Sequence, residues 1–407
     1  MPSPPASSPF VSPAADRPRI PTDLRVLIGA AVIVALGFGL IAPLLPQYAK
    51  SFEVTDAGAA AIVSVFALCR LVFAPLAGRF AEARGERIGY VTGVLIVAAS
   101  TLACAWAPEY WILLVVRGLG GIGSTMFSVS AGSFIARRSP RAIRGRVSGL
   151  YGGAFLFGNV AGPLVGGLLS PLGFRMPFVI YGVALIVAAA VVFLMLERGG
   201  GRFTRASALP PMTLAEAWAR PEFRAAVLGN IGNGWVTMGV RTSLIPLFAA
   251  AALGLDPFQI GVVVTLYAIG NAGALTFSGK WSDSVGRRRP ILLGMTGAGL
   301  VAVVLGLAPT LWVLAALSLL QGFFTGLFAP SQQATIADVV GPTRSAGRAM
   351  ATFQMAADLP AIVAPLVAGL LADHVGYGWA FGLSGLVMFL GVAAWGSTPD
   401  RNLPSER

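Results

Sequence analysis

The chain has 407 residues, of which 56% are hydrophobic and only 11% are charged. This leaves too little polar surface for a soluble globular domain, so the composition excludes that class and predicts an integral membrane protein. The net charge of +12 comes from basic residues spread over short loops between apolar runs, and it therefore does not indicate nucleic-acid binding.

The N-terminal segment, residues 1–24, contains seven prolines and precedes an apolar run long enough to cross a membrane. The apolar core of a secretory signal peptide is shorter than this run. We therefore expect a disordered cytoplasmic tail that is not cleaved.

Apolar runs of about 20 residues, the length that one membrane-spanning helix requires, recur along the whole chain. They are rich in Gly, Ala, Val and Leu without strict alternation, which favours helices over the strands of a barrel. We count twelve such spans, which begin near Leu27, Asp56, Gly89, Tyr110, Gly145, Phe178, Ala225, Phe258, Pro290, Leu311, Ala349 and Trp379.

The distribution of basic residues predicts the orientation of these spans. Placing both termini in the cytoplasm leaves only Lys50 and Arg175 in outer loops, while most other basic residues lie in inner loops or tails. Inner loops of membrane proteins carry an excess of Lys and Arg. We therefore expect a multi-pass protein of the plasma (inner) membrane with both termini cytoplasmic.

Two charged turns of similar sequence stand out in this apolar chain, residues 78–87 (GRFAEARGER) and 279–288 (GKWSDSVGRR). Each has a glycine, an acidic residue four positions later, a second glycine three positions after that, and basic residues. Their defining residues are Gly78, Glu82, Gly85 and Arg87 in the first copy, and Gly279, Asp283, Gly286, Arg287 and Arg288 in the second.

The similarity continues downstream, where residues 161–169 (AGPLVGGLL) match residues 363–371 (VAPLVAGLL). A duplication of this kind predicts two parallel halves of six helices, as in transporters that alternate access around a site near the middle of the membrane. The predicted units are the tail 1–24, a first bundle 25–196, a cytoplasmic linker 197–224, a second bundle 225–397 and a tail 398–407.

The fifth predicted span has a glycine pattern of its own, with Gly149, Gly158, Gly162, Pro163, Gly166 and Gly167 in the spacing G, eight residues, G, three residues, GP, two residues, GG. Gly158, Gly162 and Gly166 share one face of a helix, which lets a partner helix approach backbone to backbone. Pro163 removes one hydrogen bond and bends the helix. Ordinary small-residue packing is the alternative interpretation.

With these motifs the chain resembles the major facilitator superfamily over nearly its whole length, and within it the twelve-helix drug:proton antiporters. The turn around Asp283 is similar to the superfamily's motif A, while the first turn departs from it at Glu82, Ala83 and Glu86. The glycine spacing matches the family's antiporter motif. The resemblance implies an all-α membrane fold of two pseudo-symmetric six-helix bundles, with the charged turns as a cytoplasmic latch and the fifth span as a hinge and seal. A solvated inner loop is the alternative for the charged turns, and both roles can hold together.

Ionisable residues inside the predicted spans are few, and such residues are usually functional. Asp358 is the only deep carboxylate, about 15 Å from Arg348 along its helix, while Arg70 lies about 12 Å from Gly78. The superfamily fold implies that these two helices are neighbours. We therefore expect an Arg70–Asp358 pair that is either static or broken and reformed during transport, and Asp358 is the first candidate for a proton carrier.

Two further arginines lie within predicted spans. Arg117 stands in LLVVRGLGGIG, which resembles the family's motif B with Gly120 in place of the usual Gln, and the resemblance implies a role in proton transfer or in shaping the cavity. The GxGxxG match in this string lies inside a membrane helix and does not predict a dinucleotide site. We expect Arg241 to snorkel to the outer interface.

The first, fourth, seventh and tenth spans line the cavity in this superfamily. The resemblance therefore gives candidate wall residues on these spans, namely Phe38, Leu45, Arg117, Met126, Asn230, Asn233, Trp235, Met238, Gln321, Phe324 and Gln332, and on adjacent helices Tyr151, Tyr267 and Asn271. Contact with lipid or packing in the core is the alternative interpretation. Apolar walls with scattered amides suit an amphiphilic organic solute. Because three arginines within spans outnumber one deep acid, we expect neutral or weakly anionic substrates.

Taken together, the sequence predicts a secondary transporter that exports a small organic solute, a drug or a metabolite, against inward proton flow. Uptake of a metabolite by the same fold and a transport-inactive receptor or scaffold are the alternatives. We expect a monomer in the lipid bilayer, with protons and the solute as partners, no nucleic acid, no cofactor and no metal. An enzyme is not expected, because no nucleophile with a base and no metal-ligand cluster is apparent.

Overall fold

The computed structural model of the protein describes residues 20–139, 144–196, 212–341 and 347–398. Within these ranges the secondary structure is helical throughout, with turns and no strands. The described chain consists of two bundles of similar arrangement, which together form the twelve-span fold that the sequence predicts.

The first bundle is built from seven helices: α1 (Thr22–Ile41), α2 (Leu44–Lys50), α3 (Asp56–Arg84), α4 (Glu86–Ala105), α5 (Tyr110–Arg138), α6 (Arg144–Leu169) and α7 (Arg175–Met195). α1 packs on α6 and α7, α5 packs on α3 and α4, and α4 packs on α7. α1 and α2 together form the first membrane span.

The second bundle follows a short helix, α8 (Leu214–Trp218), and repeats this arrangement. Its helices are α9 (Pro221–Gly234), α10 (Ile245–Ala251), α11 (Pro257–Val285), α12 (Arg288–Leu305), α13 (Leu311–Val340), α14 (Gly347–Val375) and α15 (Tyr377–Gly396). α9 packs on α14 and α15, α13 packs on α11 and α12, and α12 packs on α15. The contacts therefore reproduce, helix for helix, the duplication seen in the sequence.

The seventh span differs from a simple helix. Eleven helices of the described chain are long and apolar enough to cross a membrane. The remaining span, residues 221–251, consists of α9, a π-helical segment (Trp235–Leu244) and α10. A π turn holds more residues than an α turn, so side chains in this segment point in directions that an α-helical projection does not predict.

The two charged turns use glycine where the chain reverses between helices. Gly85 separates α3 from α4 with a φ of 85°, and Gly286 follows α11 with a φ of 89°. Other residues rarely adopt these left-handed angles, so glycine is required at both positions.

The halves contact each other through α3 with α14 and through α6 with α11. We call the end of the bundle where α1 begins and α15 ends the terminal end, and the opposite end the far end. At the far end, a methyl group added at Gly369 would overlap Ala57, and one added at Gly167 would crowd Phe258. This close backbone packing closes the far end.

At the terminal end, the same helices of the two halves, α3, α6 and α11, are packed less closely. A methyl group added at Gly78, Gly149 or Gly279 would meet nothing within 4 Å. The structure therefore represents a state in which the halves are joined at the far end.

Candidate functional site

A cavity lies between the two halves and consists of three adjoining chambers. The central chamber, of about 260 Å³, is lined by residues of both halves, with Phe38 and Phe66 from the first and Met238 and Val264 from the second. Its walls are mainly apolar, which is typical of sites for organic ligands.

Three arginines line the central chamber, namely Arg70, Arg117 and Arg241. The guanidinium carbon of Arg117 lies 4.1 Å from the centre of the Phe66 ring, and that of Arg241 lies 4.7 Å from the centre of the Tyr267 ring. Both geometries are cation–π contacts. The sequence predicts functional roles for Arg70 and Arg117, and the structure brings both together with Arg241.

Asp358 lines the second chamber, also of about 260 Å³, together with Arg70 and Asn233. The charges of Arg70 and Asp358 interact across this chamber, although the two described side chains form no direct ion pair within 4.0 Å. Arg70 Nη1 instead donates a hydrogen bond to Ser124 Oγ at 3.3 Å. Asp358 is the only carboxylate among the described residues that line the three chambers.

The third chamber, of about 220 Å³, is lined by Asn233, Tyr267 and Asn271 with Arg241 and Asn159. Arg241 Nη2 lies 3.5 Å from Asn159 Oδ1, a contact that joins α6 of the first half to the π segment of the second. The third chamber shares Arg241 with the central chamber and Asn233 with the second. The three chambers therefore form one continuous cavity with several polar side chains in its wall.

The structure differs from the expectation that Arg241 snorkels to the outer interface. Its side chain lines the cavity because the π segment displaces residues from the directions of a regular α-helix. The sequence carries no local signal for this displacement, so counting residues along an ideal helix misplaces Arg241.

Several residues predicted for the cavity wall have their side chains in helix–helix contacts. Asn230 Nδ2 donates to the Phe353 carbonyl at 2.7 Å, and Trp235 Nε1 donates to Ser384 Oγ at 3.0 Å. These bonds fix α9 and the π segment to α14 and α15. Both polar groups therefore form their hydrogen bonds within the second half.

The other residues that the sequence predicts for the cavity wall, but that line none of the three chambers, are held by packing. The Phe324 ring packs against Gly297, and at Gly93 the backbone of α5 next to Met126 approaches closely, because neither glycine has a side chain in the way. Gln321, Gln332 and Leu45 are fully buried or nearly so, and Tyr151 packs on Phe155. Burial inside a half separates Gln321, Gln332 and Leu45 from the cavity wall that the sequence predicts.

Many residues that line the central chamber are not among those that the sequence predicts, and they include Phe66, Ser124, Asn159 and Thr237. Phe66 and Ser124 fall within long apolar runs that contain many similar residues. Asn159 follows Gly158 in the glycine pattern, and a polar residue inside that pattern is the one signal that could have identified it.

The glycine pattern of the fifth span forms two packing faces on α6. A methyl group at Gly158, Gly162 or Gly166 would overlap backbone atoms of α1. The neighbouring face meets the other half, because a methyl group at Gly261 of α11 would overlap the Pro163 carbonyl. α6 is therefore fixed tightly to α1 while it contacts α11 at the boundary between halves. Gly149 has open space around it.

The basic residues of the charged turns make contacts within their own half. Arg87 donates to the Phe193 carbonyl in the last turn of α7. Arg288 occupies the equivalent position in the second turn and donates to the Gly396 carbonyl at the end of α15, at 2.8 Å. A cation at a helix C-terminus satisfies free carbonyl groups and interacts favourably with the helix dipole. These arginines hold the helices of each half together.

The acidic residue of the second turn also finds a partner in its own half. Arg287 pairs with Asp283, and its Nε donates to Asp338 Oδ2 at 3.0 Å. Burial lowers the pKa of Arg287, but the hydrogen bonds to Asp338 and Asp283 outweigh it and raise that pKa above the ordinary value. The side chain of Glu82, the equivalent acid in the first turn, lies outside the described residues.

At the far end, a carboxylate joins the two halves directly. Asp373 near the end of α14 accepts hydrogen bonds from the backbone N–H groups of Asp56 and Ala57, at 2.8 and 2.9 Å. Asp56 in turn pairs with Lys50 at 3.0 Å and accepts a hydrogen bond from Tyr377. A carboxylate at a helix N-terminus is favourable, so this network stabilises the closed far end.

We expect Asp373→Asn to open the far end more often, because the amide loses the charge and one of two acceptor atoms. A loss of about 1.4 kcal/mol corresponds to a tenfold change in an equilibrium. The measurement is the labelling rate of a cysteine at Thr242, in a Cys69→Ser, Cys104→Ser background, by an impermeant thiol reagent added from the far end. About tenfold faster labelling is expected. Glu109→Gln, an exposed acid at the same end, is the control, and equal rates in both variants would contradict the prediction.

Comparisons with known proteins agree with this architecture. The profile of the Major Facilitator Superfamily matches residues 27–248 and 226–407. The multidrug resistance protein MdtG of Salmonella arizonae is 32% identical over 384 residues, which cover 92% of this chain and 95% of that protein. The class C tetracycline resistance protein of Escherichia coli is 26% identical over 383 residues, covering 91% of this chain and 94% of that protein.

A solved structure has a similar fold. It is a bacterial homologue of the human lysosomal transporter Spinster in an inward-facing and unoccupied conformation. It matches with a TM-score of 0.78 and 17% sequence identity, covering 92% of this chain and 95% of that one.

Proposed function

Because the chain belongs to the Major Facilitator Superfamily, and is therefore a multi-pass membrane transporter rather than an enzyme, we propose that it exports a small amphiphilic organic solute from the cytoplasm across the plasma membrane in exchange for protons. The observation that carries the proposal is the position of Asp358, the one described acid on the wall of the cavity between the two halves. An acid in such a cavity can bind a proton from either side of the membrane in turn.

Alternating access provides the mechanism. The halves are joined at the far end, where Asp373 meets the N-terminus of α3, and the cavity lies between them. With both termini in the cytoplasm, as the basic loops predict, this arrangement is the inward-facing state. Rocking of one half against the other then exposes the same cavity to the outside.

The charged turns act in the opposite state in this proposal. When the terminal end closes, Asp283 and Glu82 approach helix N-termini of the other half and latch that end. The present pairing of Asp283 with Arg287 is compatible with a latch that is released in the inward-facing state. Arg87 and Arg288 keep each half rigid while the latch changes partner.

The glycine pattern on α6 supports export as the direction. Its spacing matches the motif of the drug:proton antiporters, and its packing on α1 and α11 lets α6 serve as a hinge and seal. The relatives whose names refer to multidrug and tetracycline resistance support the same direction.

Proton-coupled uptake is the second candidate, and the excess of arginines in the cavity favours it. If the substrate is an anion, protonation of Asp358 removes the one negative charge near it and makes anion binding more favourable. A proton and an anion that bind together would travel together.

Transport in inside-out vesicles tests the proposal and separates the two directions. A gradient that is acidic inside is expected to drive accumulation of at least one solute from a chemically diverse amphiphilic panel, and a protonophore is expected to abolish it. Vesicles without the protein are the control. If the proton gradient instead depletes the solute from the vesicle lumen, the direction is uptake and not export. The absence of any proton-dependent transport would overturn the proposal.

A further inference from the structure

We propose that the central chamber binds the carboxylate of an amphiphilic organic anion through Arg117 and Arg241. This inference rests on the proposed function only in taking the cavity as the substrate site. It names a class of substrate and two residues that recognise it, whatever the direction of transport.

The first step is the charge balance of the cavity. Among the described residues that line the three chambers, the cations are Arg70, Arg117 and Arg241, and the one carboxylate is Asp358. Asp358 interacts with the charge of Arg70. The other two arginines have no described carboxylate within 4.0 Å of them. Burying a cation in an apolar interior costs free energy when it has no negative partner. The excess positive charge of the chamber therefore favours binding of an anion.

The second step is the geometry of Arg117. Its side chain is only 6% exposed, and its guanidinium carbon lies over the Phe66 ring, 4.1 Å from the ring centre. Its Nε has no hydrogen-bond partner in the described structure. A cation–π contact supplies no conventional hydrogen-bond acceptor, so the guanidinium N–H bonds can still donate to a ligand. These bonds match the two oxygens of a carboxylate.

The third step is that Arg241 repeats this arrangement from the other half. Its guanidinium carbon lies over the Tyr267 ring, 4.7 Å from the ring centre, and its described hydrogen bond is a long one of 3.5 Å to Asn159. An anion in the chamber therefore meets an arginine with a cation–π contact from each half. By reducing the repulsion between them, the anion favours approach of the two halves.

The fourth step is the rest of the chamber wall, which fits an apolar body. Phe38, Phe66, Phe127, Phe155 and Val264 all line the chamber. Aromatic and aliphatic walls bury the apolar part of a ligand while a few polar groups fix its orientation. The combination selects an acid with an aromatic or aliphatic body over an inorganic anion.

Asp358 should influence this binding through its charge. The one other charged side chain lining its chamber in the described structure is Arg70, which also lines the central chamber. Replacing Asp358 by Asn removes the negative charge and leaves Arg70 free to attract the ligand. We therefore expect Asp358→Asn to bind the anion several-fold more tightly.

Binding to the purified full-length protein tests the inference without requiring transport. The probes are naphthalene-2-carboxylate, its neutral carboxamide and the naphthalen-2-ylmethylammonium cation, which share an aromatic body. Isothermal titration calorimetry is expected to give at least tenfold tighter binding of the carboxylate than of the other two. Arg117→Gln and Arg241→Gln are each expected to weaken carboxylate binding at least tenfold while changing carboxamide binding less than twofold.

Unchanged carboxamide binding also reports that each variant is folded. Arg224→Gln, which removes an exposed arginine on α9 outside the cavity, is the control and should leave all three affinities unchanged. Carboxylate binding no tighter than carboxamide binding would overturn the inference, as would equal loss of both probes in the arginine variants. Carboxylate binding without proton-driven transport would refute the proposed function and leave the anion site standing.

Discussion

Replacing Asp358 by Asn is expected to lower the initial rate of proton-driven substrate accumulation in inside-out vesicles at least about tenfold, which corresponds to about 1.4 kcal/mol of activation free energy. Asn keeps the shape of the side chain but cannot exchange a proton. In the absence of another described acid in the cavity, the pH gradient then has no group on which to act.

The same variant should still exchange labelled for unlabelled substrate when no gradient is imposed. Exchange requires an intact cavity and moving halves, but it does not require net proton movement. Measuring both reactions separates loss of coupling from loss of folding. Glu109→Gln, an exposed acid before α5, is the matched control for removing a carboxylate. Undiminished accumulation in Asp358→Asn would contradict the assignment of this residue as the proton carrier.

Replacing Gly158 by Leu is expected to destabilise the protein strongly, because the new side chain would overlap the backbone of Ala35 on α1. Overpacking in a close-packed interior costs about 1–3 kcal/mol even where side chains can move, and backbone atoms yield less readily. We expect a lower melting temperature in detergent and a lower yield of monodisperse protein.

The matched control is Gly152→Leu on the same helix. A methyl group at Gly152 would meet nothing within 4 Å, and Leu favours the helix over Gly by up to about 1 kcal/mol. We therefore expect an unchanged or slightly raised melting temperature. Equal melting temperatures in the two variants would show that close approach of α6 to α1 contributes little to stability.

The architecture was predictable because its signals are local. Hydropathy gives the spans, since each must cover the same apolar thickness whatever its neighbours are. The position of the turns was also predictable, because Gly85 and Gly286 adopt backbone angles that favour glycine. The duplication predicted the repeated packing of the two halves. The proposed domain boundaries and the orientation in the membrane remain predictions.

The candidate site was only partly predictable. Phe38, Asn233, Met238, Tyr267 and Asn271 do line the chambers. Asn230 and Trp235 lie on the seventh span, as Asn233 and Met238 do, but their side chains form hydrogen bonds with α14 and α15 instead of lining a chamber. Which face of a buried helix meets the cavity depends on small rotations of all its neighbours, and an apolar sequence does not encode those rotations locally.

The sequence by itself determined the class of protein, the two-fold repeat and the one deep acid, because hydropathy, repetition and charge count do not depend on how helices rotate. Tertiary structure decided where the charges act. The π segment brings Arg241 into the cavity with Arg70 and Arg117, and Arg87 and Arg288 hold the ends of α7 and α15. Asp373 reaches the N-terminus of α3 across the boundary between halves. Each of these contacts joins segments distant in sequence, and long-range packing alone selects them.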